Sequence, residues 1–243
     1  MAYKPEKALG QKSVHPEPVL SYTLIRSRRK TLVLRITKDA TIEVRAPLRM
    51  PVHTINRFVA AKEQWIASRL AMREQVRDEK AAFALQYGDK LPLCGREYPI
   101  TAREGKSVGF DGACFFMPPG LPPEEIKMRV VEIYKTVAKE VIGQKVEAYA
   151  KQMQVVPARI RISSAKTRWG SCSGKKNLNF SWRLLMAEDS VIDYVVVHEL
   201  AHLMELNHSA RFWAHVEKIF PNTHEPKEKL RQLQKKLAAQ DWD

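Results

Sequence analysis

Apolar and polar positions alternate with period two near the start of the chain and then change to helical spacing. Over 19–26 and 31–36, β-branched and apolar residues recur at alternate positions, with polar Ser27, Arg28, Arg29 and Lys30 between them. This pattern predicts two strands joined as a hairpin. Thr41-Ile-Glu-Val-Arg-Ala-Pro resumes the alternation after turn-forming Lys38, Asp39 and Ala40, so a meander of at least three strands is expected. From 52 to about 80, Ile55, Val59, Trp65, Ile66, Leu70 and Met72 recur at near-helical spacing with charges opposite, which predicts one long amphipathic helix.

Short extended pieces return over 83–117, punctuated by the turn signals Tyr87-Gly88-Asp89, Cys94-Gly95, Glu104-Gly105 and Asp111-Gly112, so further hairpins are expected. Pro118-Pro119-Gly120-Leu121-Pro122-Pro123 is the strongest breaker in the sequence, and a domain boundary is placed there. Beyond it, Ile126, Val130, Ile133, Val137 and Val141 predict a helix over 124–154. Two strands follow at 159–164 and 177–184, and from Asp189 the pattern is helical with breaks near Asn207 and Pro221-Asn222. The expected fold class is α+β. A flexible lead-in over 1–18 precedes a mixed β-hairpin and helix region at 19–117, and a second domain spans 124–243.

Composition narrows the function classes. No apolar run is long enough to cross a bilayer, and the stretch 1–20 lacks the apolar segment of a secretory signal. Cys94, Cys114 and Cys172 are too few and too odd in number for a disulfide framework, which fits a reducing cytoplasm. The 41 Lys and Arg against 27 Asp and Glu give +14, a field that favours acidic partners or a weak nucleic-acid association through a basic surface. Only Arg26, Arg28, Arg29 and Lys30 cluster tightly, so a scattered, solvated basic surface is the plainer reading.

The chemistry sits in His198-Glu199-Leu200-Ala201-His202. Histidines four apart on a helix face the same way, about one turn apart, and both can reach one ion. Val195, Val196 and Val197 before them are apolar, so the polar groups lie in a buried setting and need a purpose. His208 follows His202 by six residues, the spacing of the metzincin third ligand, although Glu205 stands where that pattern has Gly. Each residue turns a helix by about 100°, so the helix has to end before His208 for three ligands to converge. Asn207 offers a left-handed break, and Asn207 or Ser209 can cap the next helix. Three neutral imidazoles leave the fourth position of one Zn²⁺ open for a water, and Glu199 is placed to take and return its proton. Glu217, Glu225 and Glu228 are weaker alternatives for the third ligand, and His215 is read as surface or supporting. Ser171, Arg168, Tyr194 and His224 are all open as oxyanion stabilisers.

The sequence resembles the YgjP-like family of zinc-dependent metallopeptidases, and more distantly SprT and WSS-type proteases that act on proteins bound to DNA. The likeness rests on Arg168-Trp-Gly-Ser-Cys-Ser173, Asn177-Leu-Asn179, His198-Glu-Leu-Ala-His202, Asn207-His-Ser209 with Phe212-Trp213, and Arg28-Arg-Lys-Thr-Leu32 with Val44-Arg-Ala-Pro47. The resemblance implies a zincin-like C-terminal half preceded by a β-rich region with one long helix. It also implies a zinc held by the three histidines, with Glu199 as acid and base. In that picture an extended protein or peptide substrate adds as a strand along an edge at 177–182, with Asn177, Leu178, Asn179 and Phe180 as its contacts. Cys172 is read as a small buried hydrophobe. The alternatives are a zinc hydrolase of nucleotides, of pyrophosphatase type, and a nucleic-acid-associated protease or binding module. No phosphate loop, zinc finger or helix-turn-helix pattern supports either.

Overall fold

The computed structural model describes residues 13–14, 20–37 and 39–242. The lead-in expected over 1–18 lies outside the described residues except for Ser13–Val14, as does Lys38 of the expected turn. The fold is mixed α+β, and the chain divides into two compact units, Met1–Ala81 and Ala82–Asp243.

In the first unit, β1 (Ser13–Val14), β2 (Thr23–Ser27), β3 (Val33–Ile36) and β4 (Ile42–Pro47) form a sheet in the order β1-β2-β4-β3. Strand β4 buries alternate residues Ile42, Val44 and Ala46, as a central strand with one face on a core should. Strands β3 and β4 pair antiparallel, as their turn residues predict. The expected hairpin between 19–26 and 31–36 does not form, because β2 runs parallel to β4 on its other side. Arg26 explains the choice: its guanidinium donates to the carbonyls of Pro47, Leu48 and Met50 at 3.1, 2.9 and 2.8 Å, which fixes β2 beside the end of β4. The single long helix is also divided, into α1 (Val52–Ala60) and α2 (Glu63–Ala82). At the joint Lys62 N–H bonds to Val59 C=O, an i→i−3 tightening that redirects the chain. Ile55, Val59 and Ile66 reach the core of this unit, whereas Trp65 and Met72 are exposed.

The second unit begins with β5 (Lys90–Leu93) and β6 (Arg96–Ala102), an antiparallel hairpin. Its turn residues Cys94 and Gly95 both have positive φ, 51° and 83°, the pairing a two-residue type I′ turn requires. Strands β7 (Gly109–Phe110) and β8 (Phe115–Met117) make a second hairpin, and β8 joins β6 in parallel, giving the order β5-β6-β8-β7. Leu91, Leu93, Ile100, Phe115 and Met117 from this sheet share one buried cluster with the helices that follow. The boundary expected at 118–123 is therefore a connection inside this unit: the prolines end strand β8 and start helix α3 (Pro123–Met153), and the apolar core runs through on both sides of them.

Helix α3 runs unbroken through Gly143 and ends at Gln154, whose left-handed φ of 55° lets its N–H close on Ala150. Ile126, Val130, Ile133, Ala138, Ile142, Val146 and Ala150 form its buried stripe. Beyond it β9 (Arg159–Ser163), β10 (Gly170–Cys172) and β11 (Asn177–Ser181) form a sheet ordered β10-β11-β9. The two strands expected here are parallel partners, β9 and β11, and β10 pairs antiparallel with β11 on the opposite side. A 3-10 segment, Trp182–Met186, leads into α4 (Asp189–Ala201), α5 (Ala210–Glu217) and α6 (His224–Ala238). Among the described residues no helix is long and apolar enough to cross a membrane.

Aromatic rings hold this core in a line. Phe115 meets Tyr134 at 5.2 Å, Tyr134 stacks on Trp182 at 5.3 Å, and Trp182 meets Trp242 edge-on at 5.8 Å. Lys127, 6% exposed, is satisfied by Glu124 at 3.0 Å and Asp241 at 3.4 Å. Trp242 is thus part of the core. Trp242→Ala should lower stability by about 3–5 kcal/mol, measured by urea unfolding, and a loss below about 1 kcal/mol would show that the ring is not seated there.

Candidate metal centre

Helix α4 is buried from Val191 to Ala201 except at Asp193 and His198, which are half-buried. A run such as Val195-Val196-Val197 has modest helix propensity, so burial against α3 and α6 holds this helix more than its intrinsic preference does. Lys145 on α3 secures its start, reaching Asp189 at 2.8 Å and Asp193 at 2.7 Å. At its far end helical spacing places His198 and His202 on one face.

The helix stops before His208, as convergence of three histidines demands. The device differs from the expected one, because Asn207 is not among the residues of positive φ. Leu203 N–H bonds to Leu200 C=O, Met204 and Glu205 N–H both bond to Ala201 C=O, and the chain turns away. His202 takes part in this turn: its Nδ1 lies 3.1 Å from the Glu205 carbonyl. A carbonyl only accepts, so Nδ1 carries the proton and Nε2 keeps its lone pair. Asn207 and Ser209 then start α5, with Asn207 Oδ1 accepting from Ser209 N–H at 3.0 Å and Ser209 Oγ accepting from Phe212 N–H at 3.4 Å.

These turns bring the three imidazoles together, with one ring nitrogen from each of His198, His202 and His208 within 4.8 Å of the others. His198 Nε2 and His208 Nε2 face each other at 3.1 Å, close to the roughly 3.3 Å between two nitrogens on one tetrahedral zinc. Phe212, fully buried, supports all three, its ring centre 4.9, 4.5 and 4.7 Å from those of His198, His202 and His208. Burial first, then the neighbouring His202, His208 and Lys227, lowers His198 to about 3. Burial likewise lowers His202. Both rings are therefore neutral at ordinary pH, with lone pairs available to a cation.

Glu199 is 5% exposed, and burial raises its carboxyl to about 7. Its Oε2 is buried with no hydrogen-bond partner among the described residues, an acceptor left for something that enters. The side chain lies against β10, where a Cβ on Gly170 would come within 2.6 Å of Glu199 Cγ and Oε1. Only glycine leaves the carboxylate this room. A cavity of about 580 Å³ opens over His198, Glu199 and His208. Its other walls are Thr167, Trp169 and Gly170 before and on β10, Tyr194 on α4, Trp213 on α5, and Lys227, Leu230, Arg231, Gln234 and Lys235 on α6.

The remaining expected residues are distributed differently. Tyr194 is on the cavity wall, and burial, then Glu199, raises its phenol to about 12. Arg168 and Ser171 line a separate groove of about 700 Å³ with Arg161, Ser163, Cys172, Asn177 and Asn179, and His224 is exposed at the start of α6. Glu225 and Glu228 are taken by Lys229 and Arg231. His215 faces another depression with Gln152 and Met204. Cys172 is half-buried rather than buried. The edge expected at 177–182 is corrected by the sheet order: β11 is central, hydrogen-bonded on both sides, and Leu178 and Phe180 are fully buried in the core. The open edge beside Glu199 is β10. Sequence reasoning also passed over the α6 wall, although Lys227, Arg231 and Lys235 stand four apart, the spacing of one helix face.

A metallopeptidase domain accounts for most of this architecture. The chain belongs to the YgjP-like family, whose metallopeptidase-domain model matches residues 30–233, and membership implies a metal. No curated protein matches the chain. Among solved structures it is similar to the metallopeptidase zymogen abylysin of Pyrococcus abyssi, with 28% identity, 40% of this chain and 94% of that chain covered, and a TM-score of 0.35. It is also similar to the zymogen jannalysin of Methanocaldococcus jannaschii, with 23% identity, 40% and 96% coverage, and a TM-score of 0.34.

The Glu199 shift has a stability consequence in the metal-free protein. Between the ordinary 4.5 and about 7 the folded chain binds more protons than the unfolded chain, so stability falls as pH rises through that window. Glu199→Gln removes the effect. In chelator the variant should match the parent near about pH 5 and exceed it by about 1–3 kcal/mol near about pH 8. Urea unfolding at both values checks this, and an equal gap at both would exclude a buried carboxyl as its origin.

Proposed function

We propose that the protein is a zinc-dependent peptidase in which His198, His202 and His208 hold one Zn²⁺ and Glu199 is the general base and acid. The observation that carries this is the meeting of the three imidazoles at the end of a buried helix, with two Nε2 atoms 3.1 Å apart. The donor set fits: three imidazole nitrogens, one of them fixed in tautomer by the Glu205 carbonyl, suit zinc and leave one position free for catalysis. A Zn²⁺ there supplies Lewis acidity toward a water and a peptide carbonyl oxygen.

Glu199 takes the proton of the attacking water on its carboxylate and returns it to the leaving amine, so the same atoms serve both halves of the reaction. In the metal-free protein burial raises the proton affinity of this carboxylate. Trp169, Tyr194, Leu230 and Trp213 restrict bulk water around it.

The substrate is a protein or peptide segment in extended form. Ser181 N–H bonds to Trp169 C=O at 2.8 Å and Ser173 N–H to Asn177 C=O at 3.0 Å. The intervening alternation therefore turns the peptide groups of Gly170 and Cys172 outward, away from β11. An added strand along β10 would use those groups and pass Glu199, which rests on Gly170.

Three variants test the reading. Glu199→Gln should retain about one zinc per chain and lose peptide cleavage by about 10²–10⁴-fold. His208→Ala should lose tight zinc binding, measured by metal analysis after dialysis, and full occupancy there would remove the third ligand from the scheme. Gly170→Ala should keep fold and zinc yet lose cleavage by at least about tenfold, because its methyl displaces the base. Unchanged turnover would separate Glu199 from the contact with β10.

A further inference from the structure

One wall of the cavity is a face of α6, and that face is basic. Lys227, Arg231 and Lys235 stand at successive i, i+4 positions, with Leu230 and Gln234 between them on the same side. This face is turned toward the site. Leu230 is 8% exposed, and Gln234 Nε2 donates to the Lys166 carbonyl at 2.9 Å, tying the helix to the segment before β10. The ion pairs of the helix that lie off the cavity wall use Lys229 with Glu225 and Glu188.

The three cations differ in what they meet. Arg231 is paired with Glu228, at 2.7 and 2.8 Å. Lys227 contacts Thr223 Oγ1 at 3.2 Å and lies 3.9 Å from the centre of the Trp213 ring, with no carboxylate partner among the described residues. The Trp213 ring centre is in turn 5.9 Å from those of both His198 and His208, so one aromatic ring separates this ammonium from the metal cluster. Lys235 lines the same wall and makes no salt bridge within 4.0 Å among the described residues, although its charge acts on Glu228. From Lys227 to Lys235 the helix rises roughly 12 Å, the length of three or four residues of extended peptide.

We propose that this stripe is a subsite for carboxylate side chains, so that the peptidase acts on protein segments carrying Asp or Glu within about four residues of the cleaved bond. The inference rests on the peptidase reading above and adds its substrate class. A chain lying between β10 and α6 meets backbone donors and acceptors on one side, which carry no sequence preference, and cations on the other, which do. Lys227 gives the nearest position and Lys235 the most distant.

The test is cleavage of a mixed peptide library by the zinc-loaded protein, with binding measured in parallel. Cleaved sequences should be enriched in Asp and Glu beside the cut. The exposed pair Lys227→Glu and Lys235→Glu should abolish or reverse that enrichment. Lys135→Glu with Lys139→Glu, on the exposed side of α3, imposes the same change of net charge and should leave the enrichment intact. In the binding arm, fluorescein-labelled Glu-Ala repeats should bind the Glu199→Gln protein about tenfold more tightly than Gln-Ala repeats. The cavity pair should remove that advantage and the α3 pair should not.

Cleavage without charge preference, or equal effects of the two pairs, overturns the subsite and leaves the peptidase standing. Absence of all cleavage overturns the peptidase reading, and the binding arm still decides whether the stripe recognises carboxylates. If a short thymidine oligonucleotide loses affinity with the cavity pair by the same factor as the acidic peptide, the stripe is a general polyanion surface and the proposal fails.

Discussion

Burial of helix α4 is the constraint from which the rest of the site follows. From Val191 to Ala201 this helix meets protein on nearly every side, so its polar side chains cannot be left to water. Two of them, His198 and Glu199, lie beside each other in its last turn, and desolvation drives both toward the uncharged form. In a histidine that form exposes a lone pair, and in a glutamate it raises the affinity for a proton. One physical cause thus favours both a free lone pair and a carboxylate of raised proton affinity.

The neighbouring elements accommodate this helix end in ways that depend on single residues. Strand β10 comes close enough to touch Glu199 only because position 170 has no side chain. The chain returns to the helix end because three hydrogen bonds tighten 200–205 and Ser209 caps the next helix. Phe212, delivered one turn into that helix, supplies an apolar support common to all three imidazoles. The imidazoles are thereby held by packing before any ion binds, which lowers the ordering cost of binding one.

The site was more legible in the sequence than the sheet connections were. Histidines at 198 and 202 declare a shared helix face through local periodicity, and the need for a break before His208 follows from the helical angle alone. What broke the helix was not legible, because it was a set of backbone bonds and the His202 ring rather than a residue of special conformation. Strand pairing failed for a different reason. The segments 19–26 and 31–36 look like a hairpin locally, but the partner of β2 is selected by Arg26 reaching carbonyls at 47, 48 and 50. Likewise 159–164 and 177–184 are visible as strands, while their parallel pairing and the short strand Gly170–Cys172 outside them depend on distant contacts. The proline cluster at 118–123 marks a change of element, and the shared core across it is a tertiary fact that composition does not carry.

Chemistry and selection are divided among different elements of the second unit. The residues proposed to activate water come from the end of α4 and the turn before α5, where Gly170 leaves Glu199 no spare room. The cavity walls that a substrate would meet, β10 and α6, contribute one main-chain edge and one face of exposed side chains. Lys227, Arg231 and Lys235 on this face are exposed, whereas Leu230 beside them and Leu237 are buried and anchor α6. Anchoring and presentation on α6 are therefore divided between side chains of different length and polarity, not between opposite faces. The electrostatic character of the cleft is thus free to vary over a fixed scaffold, and the basic face of α6 is this chain's own setting of that character.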